Sequence, residues 1–288
     1  MPLYIIFAWV SSLSFGFSTI LGKLTSRHQL KNQWQFGFFL TLFIALFIIP
    51  ISIFNGASFP TQWSNIAMAG IVNVAVNVFF IMALEHLDVS VLAPLFNFRS
   101  VFAVLLGFLL LGEVLVVQDY LLIGVIFFAG LFATYDKAWT AKSFFNKGVF
   151  IALGMMLSLA FKGVFVNKAV ATQGFWTASL WINVVTVMVF GLFIPRFYKD
   201  LFITPLKQYS GVLLMSVTNF IGNLTANAAY AGHVGVSSVI ISLPFSMFMA
   251  FLFSIFKPDL LEKHSIKIYI VRFSAATIMI IAALKLSS

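Results

Sequence analysis

Long apolar runs make up most of the chain, and short polar clusters separate them. A membrane-spanning helix needs about 20 mostly apolar residues to cross about 30 Å of hydrocarbon. Membrane β-strands would instead alternate over segments of about 10 residues, and these runs do not alternate. The pattern therefore predicts an all-α integral membrane protein with ten transmembrane helices, near residues 2–22, 35–54, 64–84, 91–111, 119–135, 148–168, 176–195, 210–230, 236–256 and 266–284.

The composition excludes several other classes of protein. Of the 288 residues, 61% are hydrophobic and only 9% are charged, whereas soluble domains carry about 25% charged residues. A soluble enzyme or a nucleic-acid-binding domain is thereby excluded. The chain has no cysteine, which excludes thiol catalysis and disulfides. The sequence contains no G-x-x-x-x-G-K-[ST] nucleotide-binding loop, so neither a cofactor nor ATP hydrolysis is expected.

The second half of the sequence repeats landmarks of the first half in the same order. The spacing is 145 to 147 residues for each of four pairs: Lys23 and Lys168, Asn73 and Asn219, Asn77 and Asn223, and His86 and His233. Two five-helix repeats are therefore predicted, residues 1–140 and 147–288, within one membrane domain. Because five is odd, the second repeat enters the membrane inverted relative to the first, as in many transporters.

Three stretches resemble a known transporter family. FGFSTILGK at 15–23 is similar to the first-helix motif of the drug/metabolite transporter superfamily, in its ten-helix EamA-like branch. Residues 83–131, with Gly112 and Glu113 after the fourth span, resemble that family's helix 3 to helix 5 signature. HVGVSSVIISLP at 233–244 is similar to its helix 8 to 9 turn, although Gly-Glu is replaced after the ninth span. The resemblance implies a metabolite transporter, often of amino acids or related compounds.

Basic residues inside the apolar runs are the first candidates for a substrate site. Ionisable groups in the membrane interior cost at least about 2.5–3.5 kcal/mol each, so they usually face the bundle interior or a water-filled path. Arg99 lies near the centre of the fourth span and Lys162 two turns inside the sixth. Snorkelling towards an interface is an alternative for Lys162 and the favoured interpretation for Arg272. The span centres hold no Asp or Glu, which leaves no obvious carboxylate proton relay.

Asparagines spaced by four residues are the second candidates. This spacing places Asn73 and Asn77 on one helix face, and Asn219, Asn223 and Asn227 on another. Each set either forms hydrogen bonds between helices or lines a substrate cavity, and the duplication favours the cavity. Further candidates are Asn97, Trp9 and Trp181. No metal site is expected.

Two lines of argument about orientation disagree. One set of loops holds twelve Lys and Arg residues, and the opposite set, with both termini, holds two. Because cytoplasmic loops carry the basic excess, this count places both termini outside the cell. The family resemblance places both in the cytoplasm. We favour the charge count, which reporters fused to each terminus would test.

The sequence thus predicts a multi-pass protein of the cytoplasmic membrane that transports a small polar metabolite by alternating access, with Arg99, Lys162 and the asparagines at its site. Its expected partners are a small-molecule substrate and the lipid bilayer, not nucleic acid, and a monomer or a homodimer is left open. The alternative transporter exports drug-like or quaternary-amine cations through an aromatic cavity. A membrane enzyme acting on lipids is disfavoured because the acidic residues are scattered, and a scaffold would have no use for duplicated polar faces.

Overall fold

The computed structural model describes residues 2–87, 92, 95–96, 98–133, 147–256 and 266–286. Throughout these ranges the chain forms helices joined by connections, with no β-strand. The α-helices are α1 (Leu3–His28), α2 (Gln33–Phe54), α3 (Ser64–His86), α4 (Phe98–Leu111), α5 (Val117–Ala133), α6 (Lys147–Gln173), α7 (Phe175–Gly191), α8 (Tyr198–Ile203), α9 (Ser210–Gly232), α10 (Val234–Ile241), α11 (Phe245–Phe256) and α12 (Ile266–Leu286).

Helix length and composition agree with a multi-pass membrane protein. Within the described ranges, six helical segments are long and apolar enough to cross a membrane: Leu3–His28, Gln33–Phe54, Ser64–His86, Lys147–Gln173, Val234–Phe253 and Tyr269–Leu286. Helices α4, α5 and α7 are apolar but shorter. Where they are described, the predicted spans fall largely on helices; residues 91, 93–94 and 97 of the fourth span and 134–135 of the fifth lie outside the described residues.

The ninth predicted span is not one continuous helix. Residues 236–256 are divided between α10 and α11, and the division falls at Ser242–Pro244. Proline has no backbone N–H to donate, and its ring clashes with the preceding turn of a helix, which favours a helix end or kink at Pro244, although α2 continues through Pro50. The ninth predicted span is therefore present, as the candidate span Val234–Phe253, but it is interrupted at this point. The break divides it into two half-helices, of which α10 is fully buried.

Helices from the two halves of the chain pack against each other in pairs. Helix α1 packs against α9, and α3 packs against α6. Likewise α2 packs against α7, α4 against α10, and α5 against α12. Small residues allow close approach, since Ser11 on α1 donates a hydrogen bond of 2.8 Å to the carbonyl of Gly222 on α9. The interior between α1, α3, α4, α6 and α9 is therefore enclosed by residues from both halves.

Substitution of Gly70 on α3 should measure how tightly the two halves pack. A Cβ atom there would lie 2.5 Å from Cγ1 of Val185 and 3.2 Å from the carbonyl oxygen of Ile182, both on α7. We expect Gly70→Ala to lower the free energy of unfolding by about 1–3 kcal/mol, because overpacking forces the helices apart. Thermal unfolding in detergent measures this. Gly124→Ala, where a Cβ meets no atom within 4 Å, is the matched control and should not destabilise the protein; equal losses for both variants would contradict close packing at Gly70.

Candidate functional site

A polar cavity lies between α1, α3, α4, α6 and α9. Its volume is about 70 Å³, smaller than the range of about 300–1,000 Å³ typical of small-molecule sites. Six of the ten candidate residues from the sequence meet there. The lining consists of Phe15, Ser18, Thr19, Asn73, Val76, Asn77, Phe80, Phe96, Arg99, Met155, Leu159, Lys162, Asn219 and Asn223.

Arg99 is the most constrained charge in the cavity wall. It lies at the start of α4 and only 1% of its surface is exposed. Its guanidinium carbon is 5.4 Å from the centroid of the Tyr230 ring, a cation–π distance. Its Nε and Nη2 atoms are buried and have no hydrogen-bond partner among the described residues. Buried polar groups are normally hydrogen-bonded, so these donors are suited to a ligand.

Lys162 begins a chain of hydrogen bonds that reaches α1. Its Nζ donates to Oδ1 of Asn223 at 2.7 Å. Nδ2 of Asn223 in turn donates to the carbonyl of Asn219 at 2.9 Å, and Nδ2 of Asn219 donates to Oγ of Ser18. Because Lys162 is only 6% exposed and is held by Asn223, it does not snorkel towards an interface.

The asparagines of the first half repeat part of this arrangement. Nδ2 of Asn77 donates to the carbonyl of Asn73, one turn earlier in α3, at 2.7 Å. Asn223 makes the same contact with Asn219 in α9. Nδ2 of Asn73 donates to Oγ1 of Thr186 on α7 at 3.2 Å. The four-residue spacing therefore produces equivalent polar faces on α3 and α9, and both faces line the cavity.

Three of the remaining candidates, Asn227, Trp9 and Trp181, do not line this cavity. Asn227 is buried on α9, and its Oδ1 has no hydrogen-bond partner within the described ranges. Trp9 packs edge-on against Phe245 with 6.2 Å between ring centroids. Nε1 of Trp181 donates to the carbonyl of Ser58 at 2.8 Å, outside the cavity. Asn97 lies outside the described residues.

Arg272 differs from its expected behaviour. It is fully buried, with 0% of its surface exposed, so the expectation that it snorkels to an interface is wrong. Its helix, α12, packs against α5. Arg272 lies only six residues after the start of α12, which favoured a side chain near an interface. Neighbouring helices nevertheless enclose a residue at that position.

Ser18 and Thr19 are lining residues that the sequence analysis did not single out. Both lie on α1 and are almost fully buried. Thr19 donates to the carbonyl of Phe15 at 2.8 Å, which satisfies its hydroxyl inside its own helix. The sequence signal for these two residues was a pair of small polar residues inside the motif FGFSTILGK. A hydroxyl group that bonds its own helix costs little free energy in a membrane, so such residues are hard to distinguish from packing residues.

Glu113 forms a second polar contact between the halves, near the helix ends on the side of the chain termini. Its two carboxylate oxygens accept hydrogen bonds from the backbone N–H groups of Val234 at 2.6 Å and Gly235 at 2.9 Å. His233 Nδ1 lies 3.1 Å from Oε2. The carboxylate therefore satisfies two of the unpaired donors at the start of α10. Gly112, with φ of +68°, provides the left-handed turn that brings Glu113 back from the end of α4.

Hydrogen bonding also determines the ionisation of Glu113. Burial raises the pKa of its carboxyl group, but the hydrogen bonds from His233, Gly235 and Val234 outweigh that effect. The pKa is therefore lowered from the ordinary value of 4.5. Glu113 remains ionised at neutral pH and acts as an anchor for α10.

Comparison with known proteins agrees with this architecture. The family model of the EamA-like transporters, in the drug/metabolite transporter superfamily, matches residues 2–135. This half of the chain belongs to the EamA-like transporter family. The motif resemblance at 15–23 and 83–131 is thereby confirmed, and the EamA-like match implies a membrane transporter of small molecules. The family consists of transporters and not of enzymes.

A solved structure described only as "Crystal structure of protein" shares the fold. It is similar over 96% of this chain and 99% of its own, with a TM-score of 0.62 and 14% sequence identity. No curated protein matches the chain by sequence. The fold of the chain is thus supported over nearly its whole length, while its substrate has to be argued from the cavity.

Proposed function

We propose that the protein is a secondary or facilitative transporter of a small anionic or zwitterionic metabolite, and that the cavity around Arg99 and Lys162 is its substrate site. The observation that carries this proposal is that Arg99, whose buried Nε and Nη2 have no partner among the described residues, contributes to the wall of the cavity. An uncompensated buried charge is strongly unfavourable. An anionic group of a substrate would supply the missing compensation.

The charge balance of the cavity wall supports an anion. Arg99 and Lys162 both line the cavity, and none of its described lining residues is Asp or Glu. Arginine remains protonated in proteins and presents donors only. The amides of Asn73, Asn77, Asn219 and Asn223 add neutral hydrogen-bonding groups suited to hydroxyl or carboxyl oxygens of a metabolite.

Alternating access is the mechanism that the repeated halves favour. We propose that residues 1–140 and 147–288 are inverted five-helix repeats, and the packing supports this. The pair α1 and α9 corresponds to the pair α6 and α3 when the halves are exchanged, and α2 and α7 exchange with each other. A site shared between such repeats can be exposed to either side as one repeat rocks against the other.

Orientation and location remain part of the proposal. We place the protein in the cytoplasmic membrane with its basic loops in the cytoplasm, because the excess of Lys and Arg on one set of loops is a property of this chain. Both termini would then be outside the cell.

Export of drug-like or quaternary-amine cations is the second candidate function. Phe15, Phe80 and Phe96 line the cavity and could contact an organic cation. The same wall also presents Arg99 and Lys162, which would repel a cation. The aromatic rings are better suited to cover the carbon skeleton of an anion.

A thermal-stability panel tests the choice between these functions. A ligand that binds only the folded state stabilises it by mass action, by about 2.7 kcal/mol at 100 times its Kd. With the purified chain in detergent, we expect carboxylates, amino acids or phosphate compounds to raise the melting temperature. Tetraethylammonium, matched in ionic strength, should not raise it. Stabilisation by the cation alone would overturn the proposed function in favour of the cation exporter.

A further inference from the structure

We infer that the substrate is a small organic dianion without an amino group, with one acidic group bound at Arg99 and the other at Lys162. This inference rests on the proposed function and narrows it. It disfavours the amino acid that the family resemblance suggests. The inference follows from two features of the described cavity wall: Arg99 has unpartnered donors, and no lining residue is a carboxylate.

The free atoms of Arg99 define the first anionic subsite. Nε and Nη2 lie on the same edge of the planar guanidinium group and carry parallel N–H bonds, the arrangement that binds a carboxylate or phosphate through two hydrogen bonds. Both atoms are unpartnered among the described residues. The guanidinium carbon lies 5.4 Å from the centroid of the Tyr230 ring, and the unpartnered edge is the part of the group that an acidic group of the substrate would have to reach.

Lys162 provides the second anionic subsite. An ammonium group has three N–H donors, and the hydrogen bond that the structure gives this one goes to the neutral Oδ1 of Asn223 at 2.7 Å. Asn223 orients the ammonium group without neutralising it. A second acidic group of the substrate would provide the countercharge, and the two subsites on α4 and α6 would then be bridged by one molecule.

Within the described part of the cavity wall, an ammonium group on the substrate has no countercharge. The described lining offers amide and hydroxyl oxygens from Asn73, Asn77, Asn219, Ser18 and Thr19, but no carboxylate. These neutral acceptors bind a hydroxyl group as well as an ammonium group, so they do not offset repulsion from Arg99 and Lys162. A dianion without an amino group is therefore favoured over an amino acid with the same skeleton.

Four probe compounds separate these features. Succinate carries two carboxylates, butyrate carries one on a skeleton of the same length, and aspartate adds an ammonium group to succinate. Glycerol 3-phosphate tests whether a phosphate ester can replace two carboxylates. Binding of each compound to the purified full chain is measured as a Kd from the ligand-dependent shift of the melting temperature. The variants are Lys162→Met and, as a matched control on the same helix but outside the cavity, Lys168→Met.

We expect succinate to bind at least tenfold more tightly than butyrate and at least tenfold more tightly than aspartate. Lys162→Met should reduce the preference for succinate over butyrate to less than threefold, whereas Lys168→Met should retain it. Should succinate not bind, should aspartate equal succinate, or should Lys162→Met keep the full preference, the inference is overturned.

The failure of this inference can be distinguished from failure of the proposed function. If aspartate or butyrate binds as well as succinate and that binding is lost in Arg99→Met, the anion site stands and only the dianion inference is overturned. If no anion binds and tetraethylammonium does, both are overturned.

Discussion

Replacing Arg99 by Met should reduce substrate uptake into proteoliposomes by at least about 100-fold. Removing one partner of a buried, hydrogen-bonded charge pair costs about 2–5 kcal/mol, and each 1.36 kcal/mol corresponds to a factor of ten. In this protein the pair would form only with substrate, because Nε and Nη2 of Arg99 have no partner among the described residues. The loss should therefore appear in substrate binding and transport.

The stability of the same variant distinguishes a substrate contact from a structural role. Removing a buried charge whose partner is the absent substrate relieves an unfavourable desolvation, so Arg99→Met should unfold at the same temperature as the wild-type protein or higher. If Arg99 were a structural tie, the variant would unfold at a lower temperature. Arg99→Lys keeps the charge but cannot form two parallel hydrogen bonds, so its uptake should be intermediate.

Arg196 provides the matched control. Its guanidinium carbon lies 4.4 Å from the centroid of the Trp34 ring, on the connection after α7 and away from the cavity. Arg196→Met should leave uptake within a factor of two of the wild-type rate. Unchanged uptake in Arg99→Met, measured beside this control, would remove Arg99 from the substrate site.

The placement of a side chain was predicted correctly from the sequence where a single physical rule determines it. The spacing of Asn73 and Asn77, and of Asn219 and Asn223, fixed a shared helix face, and burying these amides in lipid would cost free energy. Both faces accordingly line the interior cavity. Arg99 follows the same rule, because a charge at that depth must be enclosed by protein.

Residues with two satisfactory environments could not be assigned from the sequence. Asn227 continues the spacing of its helix face, yet one more turn along α9 takes it beyond the cavity. Trp181 donates a hydrogen bond to the backbone carbonyl of Ser58, which is 123 residues away in the sequence. No local sequence pattern predicts such a contact. The break at Pro244 was visible as a proline, but local sequence does not distinguish a kinked span from two half-helices.

Glu113→Gln should lower the free energy of unfolding by about 2 kcal/mol, the scale of hydrogen bonds to a charged group. For a chain of this size that corresponds to a melting temperature lower by roughly 4–8 °C. The glutamine keeps the shape of the side chain, but an amide NH₂ replaces one of the oxygens that accept from Val234 and Gly235. One backbone donor at the start of α10 is then left without its acceptor. The favourable charge at the helix N-terminus is also lost.

Glu85→Gln is the matched control for this change. Glu85 is exposed at the end of α3, where its carboxylate accepts a hydrogen bond from Gln33. Exposed polar contacts of this kind contribute little, about 0–1 kcal/mol. The control should therefore unfold within about 4 °C of the wild-type protein, and an equal loss in both variants would contradict the role assigned to Glu113.

The pH dependence of stability gives a second measurement of the Glu113 contact. Since the pKa of Glu113 is lower in the folded state than its ordinary value of 4.5, its stabilisation is fully present above pH 4.5 and is lost as the pH falls through the lower, folded-state pKa. The difference in melting temperature between wild-type protein and Glu113→Gln should thus be constant from pH 7 to about pH 5 and shrink below that. Because α10 packs against α4, which carries Arg99, the same variant should also weaken substrate binding. A difference that instead grows with acidity would mean that the carboxylate does not stabilise α10 in its ionised form.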